Sequence, residues 1–212
     1  MPIYLKNNPN PLNPNEKGSL PEAVDAMAEN DTLYIENGEW PGSVVFPKNP
    51  TVIGSSQTDT ILFGILTFSD GGNITKVCFP PKSQLVYLKG VGVFRDLLID
   101  SDLIIGPAIV TGDNVQSSGQ AKASVTSQAG ASMILTNSTF GAMANAGVSQ
   151  NSLGMAGSFR QSNGASQISL YLIESDVIIE NGATNFSETV IGKTLQVKPT
   201  GQAIIKKNCI IK

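Results

Sequence analysis

The chain has 212 residues, a formal net charge of −3, two arginines and no histidine. With 41% hydrophobic residues it can bury a core, and one domain is the expectation at this length. The absent histidine excludes Ser-His-Asp, Cys-His and most zinc chemistry; an acidic chain poor in arginine is a poor partner for nucleic acid, and no run of about 20 apolar residues offers a membrane span.

The opening Met1-Pro2-Ile3-Tyr4-Leu5-Lys6 has neither the basic nor the apolar region of a secretory signal. This points to synthesis in the cytoplasm. Residues 7–15 hold three prolines and five asparagines, so residues 1–18 read as an extended Asn/Pro-rich arm. A helix over about 20–29 follows. Ser19 and Glu22 form a capping box, Pro21 sits in the first turn, and Leu20, Ala23, Val24 and Met27 fall on one apolar stripe.

From residue 32 the period becomes strand-like. Thr32–Glu36, Val44–Phe46, Thr51–Ile53, Ile61–Phe63, Leu66–Phe68, Val77–Phe79 and Leu85–Leu88 are short, rich in β-branched or aromatic residues, and bounded by Gly, Pro, Asn or Asp. Residues 98–105, Leu-Ile-Asp-Ser-Asp-Leu-Ile-Ile, return 74 positions later as Leu-Ile-Glu-Ser-Asp-Val-Ile-Ile. Weaker copies stand at 135–140 and 205–211. Each reads as two strands joined at a polar corner, and such units stack as coils of a parallel β-helix. The intermediate copy suggests a coil of 37 residues. Residues 107–170 carry only Asp113, Lys122 and Arg160 as charged groups, yet Met133-Ile134-Leu135, Phe140 and Phe159 recur there, which favours ordered coils over a linker. The expected fold is all-β, a single-stranded parallel β-helix (solenoid) over residues 19–212. Cys78 and Cys209 read as buried free thiols within strands.

The N-terminal third carries a resemblance. Tyr4-Leu5, the Asn/Pro-rich arm, Ser19-Leu20-Pro21-Glu22-Ala23-Val24, Asn30-Asp31-Thr32-Leu33-Tyr34-Ile35, Gly38-Glu39-Trp40 and Thr51-Val52-Ile53-Gly54 occur in that order. Over about residues 3–64 this resembles the opening of the pectin-lyase-like right-handed parallel β-helix superfamily. The resemblance implies a right-handed coil, an edge strand within the arm, and an N-terminal capping helix. It implies polysaccharide lyases and hydrolases as well as non-enzymatic virion and surface proteins, and fold does not choose among them.

One constellation could carry chemistry: Asp96, Asp100 and Asp102 with Glu174, Asp176 and Glu180. With a 37-residue coil, Asp102 and Asp176 stand two coils and roughly 9–10 Å apart, near the upper limit for an inverting carboxylate pair. Were the chain an enzyme, Asp100, Asp102, Glu174 and Asp176 would be its catalytic residues. The alternative is that Asp, Asn and Ser satisfy the backbone at corners, and this is the reading preferred. Arg95, beside Asp96, is the arginine that a calcium-dependent lyase would use as base; a surface ion pair explains it equally well. Trp40 could stack on a sugar ring, or fill the Gly-x-aromatic corner that the resemblance implies. No metal site and no cofactor is expected; Asp70-Gly71-Gly72-Asn73 and Asp113-Asn114 read as turns.

The expected function is a non-catalytic structural or adhesive β-helix that self-assembles as a homo-oligomer or polymer. Its place would be a phage or virus particle, a bacterial appendage, or a cell or spore surface, with surface polysaccharide as a further partner. Charge depletion marks interface cores, and it motivates this expectation. A polysaccharide lyase or glycoside hydrolase, and a glycan-binding module without turnover, are the alternatives.

Overall fold

Short apolar strands separated by tight polar corners have one economical solution: each coil lays its inward side chains on those of the next. The computed structural model describes residues 1–116, 125–127, 131–136, 153–155, 159–161, 164–169, 171–173, 177–187, 190–191, 194–205 and 209–211, with side chains over 1–116, 194–205 and 209–211. It is an all-β parallel solenoid with very little helix.

The N-terminal end comprises β1 (Ile3–Leu5), β2 (Glu16–Lys17) and α1 (Leu20–Asp25). The first coil is β3 (Thr32–Ile35), β4 (Gly38–Pro41) and β5 (Val44–Phe46); the second is β6 (Thr51–Gly54), β7 (Thr60–Phe63) and β8 (Ile65–Phe68). In the third and fourth coils the first two strands merge across a bend, as β9 (Gly72–Phe79) and β11 (Gly90–Ile99), followed by β10 (Gln84–Tyr87) and β12 (Asp102–Ile105). After β13 (Ala108–Gln116) come β14 (Val125–Ser127), β15 (Ala131–Thr136), β16 (Leu153–Met155), β17 (Phe159–Gln161), β18 (Gly164–Ser169), β19 (Tyr171–Ile173), β20 (Val177–Ser187), β21 (Val190–Ile191), β22 (Leu195–Ile205) and β23 (Ile210–Ile211). Strands of the solenoid therefore run through the charge-poor segment 107–170.

Every pairing among the described strands is parallel, and the strands stack into three faces. Face 1 begins with β1, β3, β6 and the first half of β9; face 2 with β4, β7 and the second half of β9; face 3 with β5, β8, β10 and β12. Leu33, Val52, Ile74, Phe94 and Gly112 are successive partners on face 1. Over these strands the coil step is thus 18–22 residues, which corrects the 37-residue coil; it is longer between Leu135 and its partner Ile168. Leu135 pairs with Gly112 and Ile168 on face 1, so the copy at 135–140 does not start from the position that Leu98 holds on face 2. The two strong copies do share a place, because Leu103, Val125, Phe159 and Val177 are successive partners on face 3. They lie three steps apart. Coils of about six residues per side need only one corner residue type in common, so a corner motif can recur without marking the coil length.

Two of the three corners turn the chain through the left-handed region coil after coil, where a Cβ is costly and Asn, Asp and Gly are favoured. Between faces 1 and 2 the positive-φ residues are Lys76, Asp96 and Asn114 on successive coils, and Asn114 Nδ2 donates to Asp96 Oδ1 at 2.6 Å. Between faces 3 and 1 they are Asn30, Asn49, Gly71 and Gly90. Backbone bonds tie that corner coil to coil, Asn30 N to Lys48 O, Asn49 N to Asp70 O and Gly71 N to Lys89 O. The corner role expected of Asp and Asn is seen in these residues.

Inside, Phe46, Phe68 and Tyr87 are in register on face 3 and stack at 4.7 and 5.3 Å between centroids, and Phe94 meets Tyr87 edge-on at 5.6 Å. The buried Tyr87 hydroxyl donates to the Gly72 carbonyl at 2.6 Å and lies 3.1 Å from that of Val91. A Cβ on Gly92 would overlap that hydroxyl, so a glycine is required there. At the N-terminal end Ser19 caps α1, its Oγ accepting from Glu22 N at 3.4 Å. Leu20, Ala23, Val24 and Met27 are buried, as the stripe predicts. The helix is shorter than expected, ending at Asp25. The arm is not extended throughout: it folds back so that Tyr4 and Leu5 pair with Glu16 and Lys17 as well as with Tyr34 and Ile35.

Phe68→Ala empties the middle of the interior stack and is expected to cost about 3–5 kcal/mol. Tyr34→Ala breaks only the outer Tyr4–Tyr34 stack (5.4 Å) and should cost about 0.5–1.5 kcal/mol. Equilibrium urea unfolding of the two variants checks the order.

Candidate functional site

The corner between faces 2 and 3 gathers the polar groups singled out above. On the third coil β9 ends at Phe79, and Pro80-Pro81-Lys82-Ser83 turns the chain into β10, with Ser83 N donating to Pro80 O at 3.2 Å. Two prolines cannot continue a ladder, which explains the wide turn. Lys82 sits at φ 72°. One coil on, Asp100-Ser101 makes the same turn, and Asp100 N donates to Phe79 O at 2.8 Å. Gln84 and Asp102 are register partners, as are Gln84 and Ile65.

The stacked turns leave a cleft of about 380 Å³ lined by Ile65, Pro81, Lys82, Ser83, Gln84, Asp100, Ser101 and Asp102. Asp100 and Ser101 are buried, and the Ser101 Oγ, in a residue 3% exposed, has no hydrogen-bond partner. Ser83 Oγ is 3.4 Å from the Leu62 carbonyl that accepts from it. The cleft is therefore lined by two carboxylates, one amine, one amide and two serine hydroxyls beside the half-exposed Ile65.

Glu174 and Asp176 lie outside the described residues, and so does the side chain of Glu180. The spacing drawn from a 37-residue coil does not hold, however. Leu103 and Val177 are three strand steps apart, about 14 Å at the usual spacing. An inverting pair tolerates roughly 9.5 Å. Arg95 is not brought to the cleft: it is exposed on face 1, in register with Thr75 and Asp113. Asp96 belongs to the other corner, bonded to Asn114. Asp70 stands between Lys48 and Lys89, at 3.9 and 3.5 Å, in the turn between faces 3 and 1.

Trp40 is 4% exposed, its partner in register is Leu62, and its Nε1 donates to the Glu36 carbonyl at 2.9 Å. The indole fills the corner of the first coil, and so buried a ring has no face free for a sugar to stack on. No group of three or more acidic, Cys or His side chains that could hold a metal ion is found among the described residues. The cleft lining is what sequence reasoning missed in part. Lys82, Ser83 and Gln84 come from the preceding coil, and only the true coil step places them under Asp100–Asp102.

Cys78 is an outward register position on face 2, between Ile61 and Leu98, yet it is buried. Burial, with a smaller contribution from the Asp100 carboxylate, pushes its thiol up to about 11. A thiol held protonated is a poor nucleophile. Cys209 is partly exposed.

Comparison with known proteins returns nothing: no family model, no curated protein and no solved structure matches the chain.

Alkylation followed by mass spectrometry at pH 8 should modify Cys209 first and leave Cys78 protected. Labelling of Cys78 should rise only as the pH climbs towards about 11 or as the chain unfolds. Equal labelling at pH 8 would contradict the burial of Cys78.

Proposed function

We propose that the chain is a non-catalytic structural solenoid that works by self-assembly within a larger particle or surface appendage. The single observation behind this reading is a group of exposed apolar side chains on two adjoining faces of the solenoid. Val45 is 64%, Ile65 46% and Leu88 44% exposed on or beside face 3, and Val91 and Ile109, register partners on face 1, are exposed next to it. Scattered apolar side chains need no explanation on a soluble surface, but a contiguous set is a feature of contact surfaces. The charge-poor stretch 107–170 is in keeping with it. A stacked fold suits such a role, because its stability is distributed over coil interfaces and its outer faces are free to vary. The pectin-lyase-like resemblance, and a virion or tail-fibre setting within it, belong to this proposal.

A second reading has its own observation, the cleft with two carboxylates and the unpartnered Ser101 hydroxyl. It makes the chain a glycan-binding or glycan-cleaving module. Under it, saturable binding or depolymerisation on a polysaccharide panel should be lost in Asp100→Asn or Asp102→Asn with an unchanged circular dichroism spectrum. A panel with neither binding nor cleavage ends that reading.

The assembly reading predicts that light scattering across a concentration series, with negative-stain images of the same samples, gives a defined oligomer or fibre. A mass that stays near 22 kDa at the highest concentrations overturns it.

A further inference from the structure

Before the coils begin, the chain turns back on its own first strand. Residues 8–18 leave β1 and return to it as β2, where Tyr4 N donates to Asn15 O at 2.8 Å and Lys6 N to Lys17 O at 2.9 Å. On its other side β1 pairs with β3, so these bonds close its outer edge. An open strand edge is a template for pairing with another chain, and short, charged or proline-bearing segments are a usual protection. Residues 8–18 are of that kind, with Pro9, Pro11 and Pro14 and a two-residue strand of Glu16 and Lys17.

The way this segment is held sets it apart from the coils. No residue from Lys6 to Gly18 is buried, and Leu12 near its apex is 89% exposed, so apolar packing contributes little. Segments with few buried apolar contacts open at low cost. The polar bonds converge on one carboxylate instead. Glu16 Oε1 accepts from Lys6 Nζ at 3.1 Å and from Asn13 Nδ2 at 3.0 Å, while Oε2 accepts from Asn10 N at 2.8 Å. First strand, apex and return strand thus meet at a side chain that is 13% exposed. Both ends of the segment are fixed elsewhere: Asn7 bonds to Glu36 Oε2 and the Asn37 carbonyl, and Ser19 caps α1. We propose that residues 8–18 are a strap over the edge of β1, latched by the Glu16 carboxylate and opened by loss of its charge. This goes beyond the assembly reading and does not depend on it.

Every group that bonds to the Glu16 carboxylate is a donor, so an acceptor-only group suits the place and an amide does not. Whichever way an amide is turned, its N–H groups face either Asn10 N or the pair Lys6 Nζ and Asn13 Nδ2. The bond from Asn10 N, followed by that from Lys6, holds the Glu16 carboxyl below the usual carboxylate range. The latch is therefore engaged at neutral pH and is lost as the pH falls through that lowered value. Lys6 of β1, Lys17 of β2 and Glu22 and Asp25 of α1 are the charged groups around it, and Tyr4 is its register partner. Two further carboxylates stand on the strap's supports, Glu36 at Asn7 and Asp31 at the Met1 amino group. A substitution confined to Glu16 separates it from all of these.

The test is amide hydrogen exchange followed residue by residue by NMR at pH 7. In Glu16→Gln the Tyr4 and Lys6 amides should exchange about tenfold faster than in the parent, with those of Leu33 and Val52 unchanged. Glu22→Gln is the control, since the Glu22 carboxyl lines the same cleft and bonds to no residue of the strap; it should exchange as the parent does. At pH 3, with intrinsic exchange corrected for, the parent should lose protection at the same two amides and Glu16→Gln should lose no more. Tyr4 and Lys6 amides as protected in Glu16→Gln as in the parent at pH 7 overturn the latch. Lost protection at Leu33 and Val52 as well overturns the strap, because Glu16 would then support the whole fold. An equal acid response in variant and parent assigns the pH dependence to another carboxylate and overturns the latch. In each case the assembly reading stands.

Discussion

Everything in this molecule depends on one constraint, that each coil must present to the next an interior of matching shape at a strand spacing. Parallel pairing delivers the register, and the interior ladder of Phe46, Phe68 and Tyr87 shows what fills it. A flat ring is suited to such a ladder because its face covers the ring below at nearly the strand spacing. The one polar atom in that stack, the Tyr87 hydroxyl, is tied to the Gly72 and Val91 carbonyls. Gly92 is left bare to accommodate it. Local choices far apart in sequence are therefore answerable to one column of side chains.

The corners follow from the same constraint. To turn within one or two residues the chain must enter the left-handed region, and Asn30, Asn49, Asp96 and Asn114 do so with side chains able to bond locally or to the neighbouring coil. Glycine takes over at Gly71 and Gly90, where a Cβ would run into Asn49 or the backbone of Gly71. Asn30, Asn49, Asp96 and Asn114 are thus engaged in turning the chain. That is why an acidic cluster in a solenoid is a weak sign of catalysis, and why the cleft at Asp100–Asp102 stands here as the second reading.

With interior and corners committed to the fold, the outward positions of the faces are where function can be written. On face 3 those positions include Val45, Thr67, Val86 and Ile104 in one row. On face 1 the outer Tyr4–Tyr34 stack gives way to Ile53, Thr75, Arg95 and Asp113. The faces differ in chemistry while sharing a backbone.

How much of this was legible beforehand can be followed element by element. The capping box at Ser19–Glu22 and the stripe from Leu20 to Met27 are local signals, and the helix forms where they place it. Seven strands were legible from runs of β-branched and aromatic residues. The strand of Gly38–Pro41 was not, because glycine and proline at its ends mimic a turn; nor was the first half of β9, hidden behind the glycine pair before Asn73. The parallel solenoid itself followed from strand-corner repeats. What sequence alone determined is therefore the set of local states: which residues extend, which turn, and that the units stack. The coil step, the burial of Trp40, and the meeting of Lys82–Gln84 with Asp100–Asp102 were decided only by tertiary structure. Register is a property of neighbouring strands about 20 residues apart, chosen by how their inward side chains pack, and nothing local to either strand encodes it.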